Sequence, residues 1–215
     1  MANIRELPVY VVAIDGLSAN RPLDMIDPTV IAQAEVLALN ATADKARTMA
    51  DKAIRAQVNF PASYLRPSEQ RLYVAKRASE GSRVASIVAR TRPTMLARFV
   101  TSGSPAGGGR RPSPISLAVR AGGGKTVSQR MFLISLPAGR GGDPEDNPRN
   151  MGLAIRLKPG EVIHNKKVMA RIKGNLYILY GPSVSSVFAT VREDISPDTL
   201  DFLETEFARQ VDRLA

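Results

Sequence analysis

One histidine, His164, and no cysteine set narrow limits on the chemistry open to this 215-residue chain. Without Cys there is no thiol nucleophile, no thiolate metal site and no disulfide. A Ser–His–acid triad would have to run through His164, whose neighbours Ile163, Asn165, Lys166 and Lys167 read as a polar loop, and no Ser sits in a Gly-x-Ser-x-Gly elbow. A two-histidine metal site is excluded, and Asp143-Pro144-Glu145-Asp146 lacks the spacing of a calcium loop. Gly122-Gly123-Gly124-Lys125-Thr126 looks like the end of a phosphate-binding loop, but that loop needs a further glycine five positions before the Gly of Gly-Lys-Thr. Position 119 is Val, within a strand pattern, and the residues after Thr126 read as strand instead of helix. The glycines are therefore read as a hairpin turn. No catalytic, cofactor-binding or metal-binding residue is expected, and the chain is read as a non-enzyme.

Charge is the stronger signal. The net charge is +10, and between Arg66 and Arg140 there are fourteen Lys or Arg against only Glu69 and Glu80, so the remainder is near neutral or slightly acidic. Such a surplus suits DNA, RNA or an acidic protein surface, and equally a solvated sheet face. Arg110, Arg111, Arg120 and Lys125 are the candidate assembly or DNA-facing contacts. Aromatics make up 5% with no Trp, and neither a zinc finger nor an RNA-recognition motif is present. That argues against sequence-specific readout and leaves nonspecific phosphate contact.

The elements that would position these residues indicate an α+β fold: a mainly antiparallel sheet over 72–180, flanked by a long N-terminal helix and a C-terminal amphipathic helix. Asp27-Pro28 is a helix start, and Phe60-Pro61 stops that helix at about Asn59, giving a length of about 45 Å. Its apolar face is small: Ile31, Ala34, Ala41, Ala46, Met49, Ala50, Ala53 and Ile54. Segments 72–76 and 83–90 make a hairpin about Ser79-Glu80-Gly81-Ser82, and Pro93 to Phe99 suits one helical turn. A second hairpin is expected from Ile115–Arg120 through the glycines to Val127 and 131–134, then strands at 151–157 and 170–180, with long loops at 102–114 and 138–150. Ser196-Pro197 reads as a cap with a first-turn Pro, and Leu200, Leu203, Phe207, Val211 and Leu214 form a helical stripe that would seat on the sheet or pair with a copy of itself, core packing being the commoner outcome. Residues 27–215 are thus expected to be one domain behind an arm, 1–26.

That arm holds the longest apolar run, Val9 to Ile14, which is strand-length and far short of a membrane span. The first residues lack the basic start and apolar stretch of a secretory signal, and the absence of Cys fits synthesis in a reducing cytoplasm. A lone strand leaves its backbone unpaired and must join a sheet. The candidate inter-subunit contacts Val9, Tyr10, Val11 and Val12 would add to a neighbouring subunit, the alternative being pairing within the same chain.

Several segments share an order. Ala38-Leu39-Asn40-Ala41-Thr42-Ala43 lies in the long helix, and Arg71-Leu72, a hairpin with Ala85-Ser86-Ile87, and Arg92-Pro93 with Leu96 and Phe99 follow it. Next come Ile115 to Arg120, Gly152-Leu153-Ala154-Ile155-Arg156, Leu179-Tyr180-Gly181-Pro182-Ser183-Val184, and Val191 with Glu193 before the last helix. This order resembles the prophage minor tail protein Z family of tailed phages over most of 27–215. Tyr180, Gly181, Pro182 and Ser183 are the most specific piece, while the first 26 residues and the Gly/Pro loop carry no likeness. Physically, the strand would end at Tyr180, Gly181 would permit a sharp or positive-φ turn, and Pro182 would open a short helix carrying Val184, Val187 and Phe188. The resemblance implies a structural virion protein of the tail or neck, made in the host cytoplasm, that completes the tail at or near the head–tail junction. It further implies rings of six or twelve copies, with tail terminator, tail tube or connector proteins as neighbours, nonspecific contact with genomic DNA in the channel, and no membrane. The competing expectation is a basic module that binds nucleic acid or ribosomes nonspecifically.

Overall fold

The computed structural model describes residues 9–13, 22–103, 113–136, 151–161 and 168–215. The fold is α+β, and all strand pairings described are antiparallel. The chain divides into two compact units. The first is drawn from residues up to Arg55, from 60–91 and from 184–215; the second from 56–59 and 92–183.

The first unit is built on helix α1 (Pro28–Gln57). Asp27 caps it: its carboxylate accepts from the Thr29 N–H at 2.8 Å and the Thr29 hydroxyl at 2.7 Å, which lowers the Asp27 pKa. The buried face is Ala34, Ala38, Leu39, Thr42, Ala43, Ala46, Ala50 and Ile54. It is rotated from the expected face, since Ile31, Ala41, Met49 and Ala53 stay half-exposed. Polar residues beside the alanines decide that rotation by gripping strands β2 (Leu72–Lys76) and β3 (Val84–Ala89) and the segments around them. The Asn40 side chain donates to the Ala78 carbonyl at 3.1 Å and accepts from the Ala78 N–H at 2.9 Å. Arg47 donates to the Leu72 carbonyl at 3.2 Å and also to the Leu65 carbonyl. Asp44 pairs with Arg77 at 2.9 Å and Glu35 with Arg83 at 2.8 Å.

The β2–β3 hairpin closes as expected, with Ser79 and Ser82 exchanging backbone hydrogen bonds of 3.0 Å. Ala85, Ile87 and Ala89 alternate inward, each fully buried. Strand β1 (Val9–Ala13) pairs with β3 of its own chain, Val9 opposite Val88 through Ala13 opposite Val84. For Val9, Tyr10, Val11 and Val12 the structure therefore has the in-chain alternative, giving a sheet ordered β1-β3-β2. Tyr10 fixes this docking: its ring meets Phe188 edge-on at 6.3 Å between centroids, and its hydroxyl lies 3.2 Å from Ser196 Oγ. Because Ser196 Oγ donates to the Arg192 carbonyl at 3.1 Å, Tyr10 is the donor.

Phe188 belongs to helix α2 (Val184–Val191) and Ser196 to helix α3 (Ser196–Leu214). Ser196 is not the expected cap; Ile195 precedes the helix in near-helical geometry, with its N–H bonded to the Val191 carbonyl, so the Ser hydroxyl turns back onto the previous turn. Of the stripe on α3, Leu203, Phe207 and Val211 join Ile26, Ala34, Ala38, Leu39 and Ala78 in one core, with Leu214 partly buried against it. Leu200 is 55% exposed and lies outside that core.

The second unit has two sheets among its described residues. Strands β4 (Val100–Ser102), β5 (Ile115–Leu117) and β6 (Thr126–Ser128) form one, and β7 (Met131–Ser135), β8 (Met151–Arg156), β9 (Met169–Lys173) and β10 (Leu176–Leu179) the other, in the order β7-β8-β10-β9. The expected hairpin from 115 to 134 is thus divided: β5 pairs with β6, while β7 pairs with β8. The strand expected over 170–180 is two strands about a turn in which Gly174 has φ +55°, a left-handed conformation that favours glycine. A 3-10 turn at Leu96–Phe99 fills the position read as one helical turn. Residues 104–112 and 137–150, most of the two expected long loops, lie outside the described residues. No described helix is long and apolar enough to cross a membrane.

Tyr10→Ala in the full chain should lower stability by about 2 kcal/mol and Tyr10→Phe by about 1 kcal/mol, measured by urea unfolding. A Tyr10→Ala variant as stable as the parent would show that β1 docks elsewhere.

Candidate functional site

The glycine run that resembles a phosphate loop is the turn joining β5 to β6. Gly122 has φ +65°, and a Cβ on Gly123 would lie 2.9 Å from the Arg120 Cβ, so the turn is tight without cradling anything. Arg120 serves it through its backbone: it bridges Val58, and its carbonyl accepts from the Gly123 N–H at 3.2 Å and the Asn59 side chain at 3.0 Å. The side chains of Arg120 and Lys125 are exposed. Arg110, Arg111, His164 and the acidic run at 143–146 lie outside the described residues. Among the described residues no group of three or more His, Cys, Asp or Glu is placed to hold a metal ion.

The segment Tyr180-Gly181-Pro182-Ser183 is laced to residues 94–95. Tyr180 bridges Met95, the Gly181 N–H donates to the Thr94 carbonyl at 2.7 Å, and the Thr94 N–H donates to the Pro182 carbonyl at 3.4 Å. Strand β10 ends at Leu179, one residue before the expected limit, and α2 starts at Val184, after Pro182 and Ser183. Gly181 does not take the positive φ that was one expectation for it. Its requirement is close approach, because a Cβ there would meet the Phe99 ring at 2.9 Å and Leu96 at 3.4 Å. Phe99 is only 3% exposed and has little room to yield. Gly181→Ala should therefore destabilise the protein by about 1–3 kcal/mol, read as a lower urea midpoint; an unchanged midpoint would show that Phe99 can move.

Charge divides between the units more sharply than along the sequence. In the first unit fifteen Lys or Arg face sixteen Asp or Glu, a net of −1. In the second, fifteen face only four, Asp143, Glu145, Asp146 and Glu161, a surplus of eleven. The surplus expected over 66–140 is thus relocated. Arg71, Arg77 and Arg83 belong to the first unit and pair with Glu69, Asp44 and Glu35 at 2.6–2.9 Å.

Within the second unit, antiparallel pairing brings cations distant in sequence to one end of the β7-β8-β10-β9 sheet. Arg130 precedes β7, Arg156 ends β8 with Lys158 just beyond, and Arg171 and Lys173 lie at the end of β9. Arg156 and Lys173 both pair with Leu176, from opposite sides, so they share a face about 10 Å apart. The rim is rigid. The Leu157 N–H donates to the Asn175 carbonyl at 3.0 Å, and the Asn175 side chain returns a bond to the Leu157 carbonyl at 2.9 Å. Arg171 Nε donates to the Gly174 carbonyl at 2.7 Å, and the Arg156 guanidinium lies over the Phe132 ring at 6.0 Å. All five cations are exposed. Among the described residues Arg130 alone of the five pairs with an acid there, holding Glu161 through bonds of 2.8 and 2.6 Å, while the Lys158 N–H donates to the same carboxylate at 2.9 Å.

These bonds to Arg130 first, and to Lys158 second, hold the Glu161 pKa down to about 2 against an ordinary 4.5. A depressed carboxylate contributes stability that is present above the ordinary pKa and is lost as pH falls through the folded value. Urea midpoints of the parent and Glu161→Gln should therefore converge as pH drops from above 4.5 toward 2. A gap that does not depend on pH would mean the pair is not formed in solution.

Composition alone did not single out Arg130, Arg156, Lys158, Arg171 and Lys173. The signal that finds them is that β8 and β9 each finish on a cation while β7 begins after one, which an antiparallel order converts into a single rim. No protein-family model, no curated protein and no solved structure matches this chain.

Proposed function

We propose that this chain is a structural, non-catalytic virion protein of a tailed bacteriophage: a minor tail or tail-completion subunit at or near the head–tail junction, acting as a ring of six or twelve copies. The observation that carries this reading is the division of charge, with the first unit at −1 and the second at a surplus of eleven. A ring subunit has two electrostatic tasks that conflict within one surface. It must approach copies of itself without net repulsion, and it must tolerate or attract the polyanion that passes through the particle. Placing balanced charge in one unit and the surplus in another meets both. The order of segments that resembles the minor tail protein Z family supplies the specific assignment, with tail terminator, tail tube or connector proteins as the neighbours.

The same surplus favours one competing reading, a basic module that binds nucleic acid or ribosomes without forming part of a particle. Deleting the gene from its phage genome separates the two. The tail reading expects full heads and tails that fail to join in electron micrographs, restored by the gene in trans, with the protein co-purifying with particles after nuclease treatment. Normal particles from the deletion, or sedimentation with ribosomes that nuclease abolishes, would overturn the tail assignment.

A further inference from the structure

We infer that the rim at the end of the β7-β8-β10-β9 sheet is a binding site for the phosphate backbone of double-stranded DNA, formed by Arg156, Lys158, Arg171 and Lys173. This inference needs only the geometry of the rim and is independent of the tail assignment. Arg156, Lys158 and Lys173 lie at that end, from two strand ends and one connecting segment, and Arg171, paired with Tyr177 across a register shift, adds a fourth exposed cation from the opposite face. Among the described residues the acid beside them, Glu161, is already engaged by Arg130, so it does not neutralise the other four. Rigidity adds to the field. The Leu157–Asn175 bonds tie β8 to the β9–β10 turn, and Arg171 is tethered to the Gly174 carbonyl, so the strand ends that carry the cations are set before a ligand arrives.

Two features select a nucleic-acid backbone over an acidic protein. Protein interfaces are depleted of lysine in their cores, whereas two of the four groups here are lysines at the exposed rim. The unit as a whole also carries fifteen cations against four acids, a surplus that suits a linear ligand of uniform charge. Base readout is not part of the site. The aromatic rings at the rim, Phe132 beneath the Arg156 guanidinium and Tyr177 opposite Arg171, are both half-buried in the sheet and not open faces of the kind on which single strands stack their bases. Recognition is accordingly of phosphates, without sequence preference.

The test uses the purified full chain and two labelled 20-base-pair duplexes of unrelated sequence, with binding followed by fluorescence anisotropy from about 50 to 200 mM salt. Four phosphate contacts predict a log–log salt slope of about −3.6, so affinity should fall about 100-fold over that range, equally for both duplexes. Lys158→Gln with Lys173→Gln should make the slope shallower by about 2, leaving a fall of about 10-fold, with the urea midpoint unchanged. Arg120→Gln with Lys125→Gln removes the same charge from the β5–β6 turn and should alter the slope far less. Equal effects of the two pairs would mean diffuse attraction and would overturn the rim as a site. Absence of duplex binding at low salt, or tighter binding to poly-glutamate than to the duplex, would also overturn it, the latter in favour of an acidic protein partner.

Discussion

The first unit depends on how closely helix α1 can approach its neighbours. Five alanines on its inner face, Ala34, Ala38, Ala43, Ala46 and Ala50, are wholly buried. With only a methyl group at each, the helix backbone comes near enough for short polar side chains beside the stripe to reach the main chain opposite. Asn40 can therefore satisfy both backbone groups of Ala78, and Arg47 can reach the Leu72 carbonyl. Larger residues would hold the helix off and break these bonds, leaving buried polar groups unpaired at about 1–3 kcal/mol each. The same proximity lets Glu35 and Asp44 reach Arg83 and Arg77. Packing and charge neutrality in this unit thus have one cause.

The second unit follows a different logic. Its order comes from backbone ladders and turn chemistry, and its charges are largely left to solvent. The left-handed Gly174, the tight glycine turn after Arg120 and the close passage of Gly181 over Phe99 each bring two strands or segments together where a side chain would interfere. Each of those turns lies near exposed cations or within the segment 180–183, so the small residues position the surface without contributing charge themselves.

Much of the fold was legible in the sequence, for physical reasons that differ by element. Helix α1 carries its own start at Asp27-Pro28 and a stop before Pro61, and its extent is nearly as expected. The β2–β3 hairpin announces itself through a four-residue polar turn between alternating strands. The rotation of α1 was hidden because Asn40, Glu35 and Asp44, which set it, look like solvent-facing residues until their partners are known. Ser196 misled because a Ser-Pro pair has the chemistry of a cap wherever it stands, and here the preceding turn was already helical. The rim was hidden more deeply: linear charge counting places Arg77 and Arg171 in the same class, and only strand order separates a cation paired with α1 from one left at the end of a sheet.

The order in which this chain leaves the ribosome gives its topology a temporal meaning. The pairings of β5 with β6 and of β9 with β10 join residues close in sequence, so these hairpins can close soon after synthesis. The first unit cannot. Its sheet waits for β3 to meet β1, and its core waits for Phe188, Leu203, Phe207 and Val211, which are among the later residues to be made. Until α3 emerges, Ala34, Ala38 and Leu39 of α1 lack the Leu203, Phe207 and Val211 they share a core with, and the first unit stays open. The C-terminal helix is in this sense the timer of the fold, because the first unit becomes a closed surface only when α3 has been delivered.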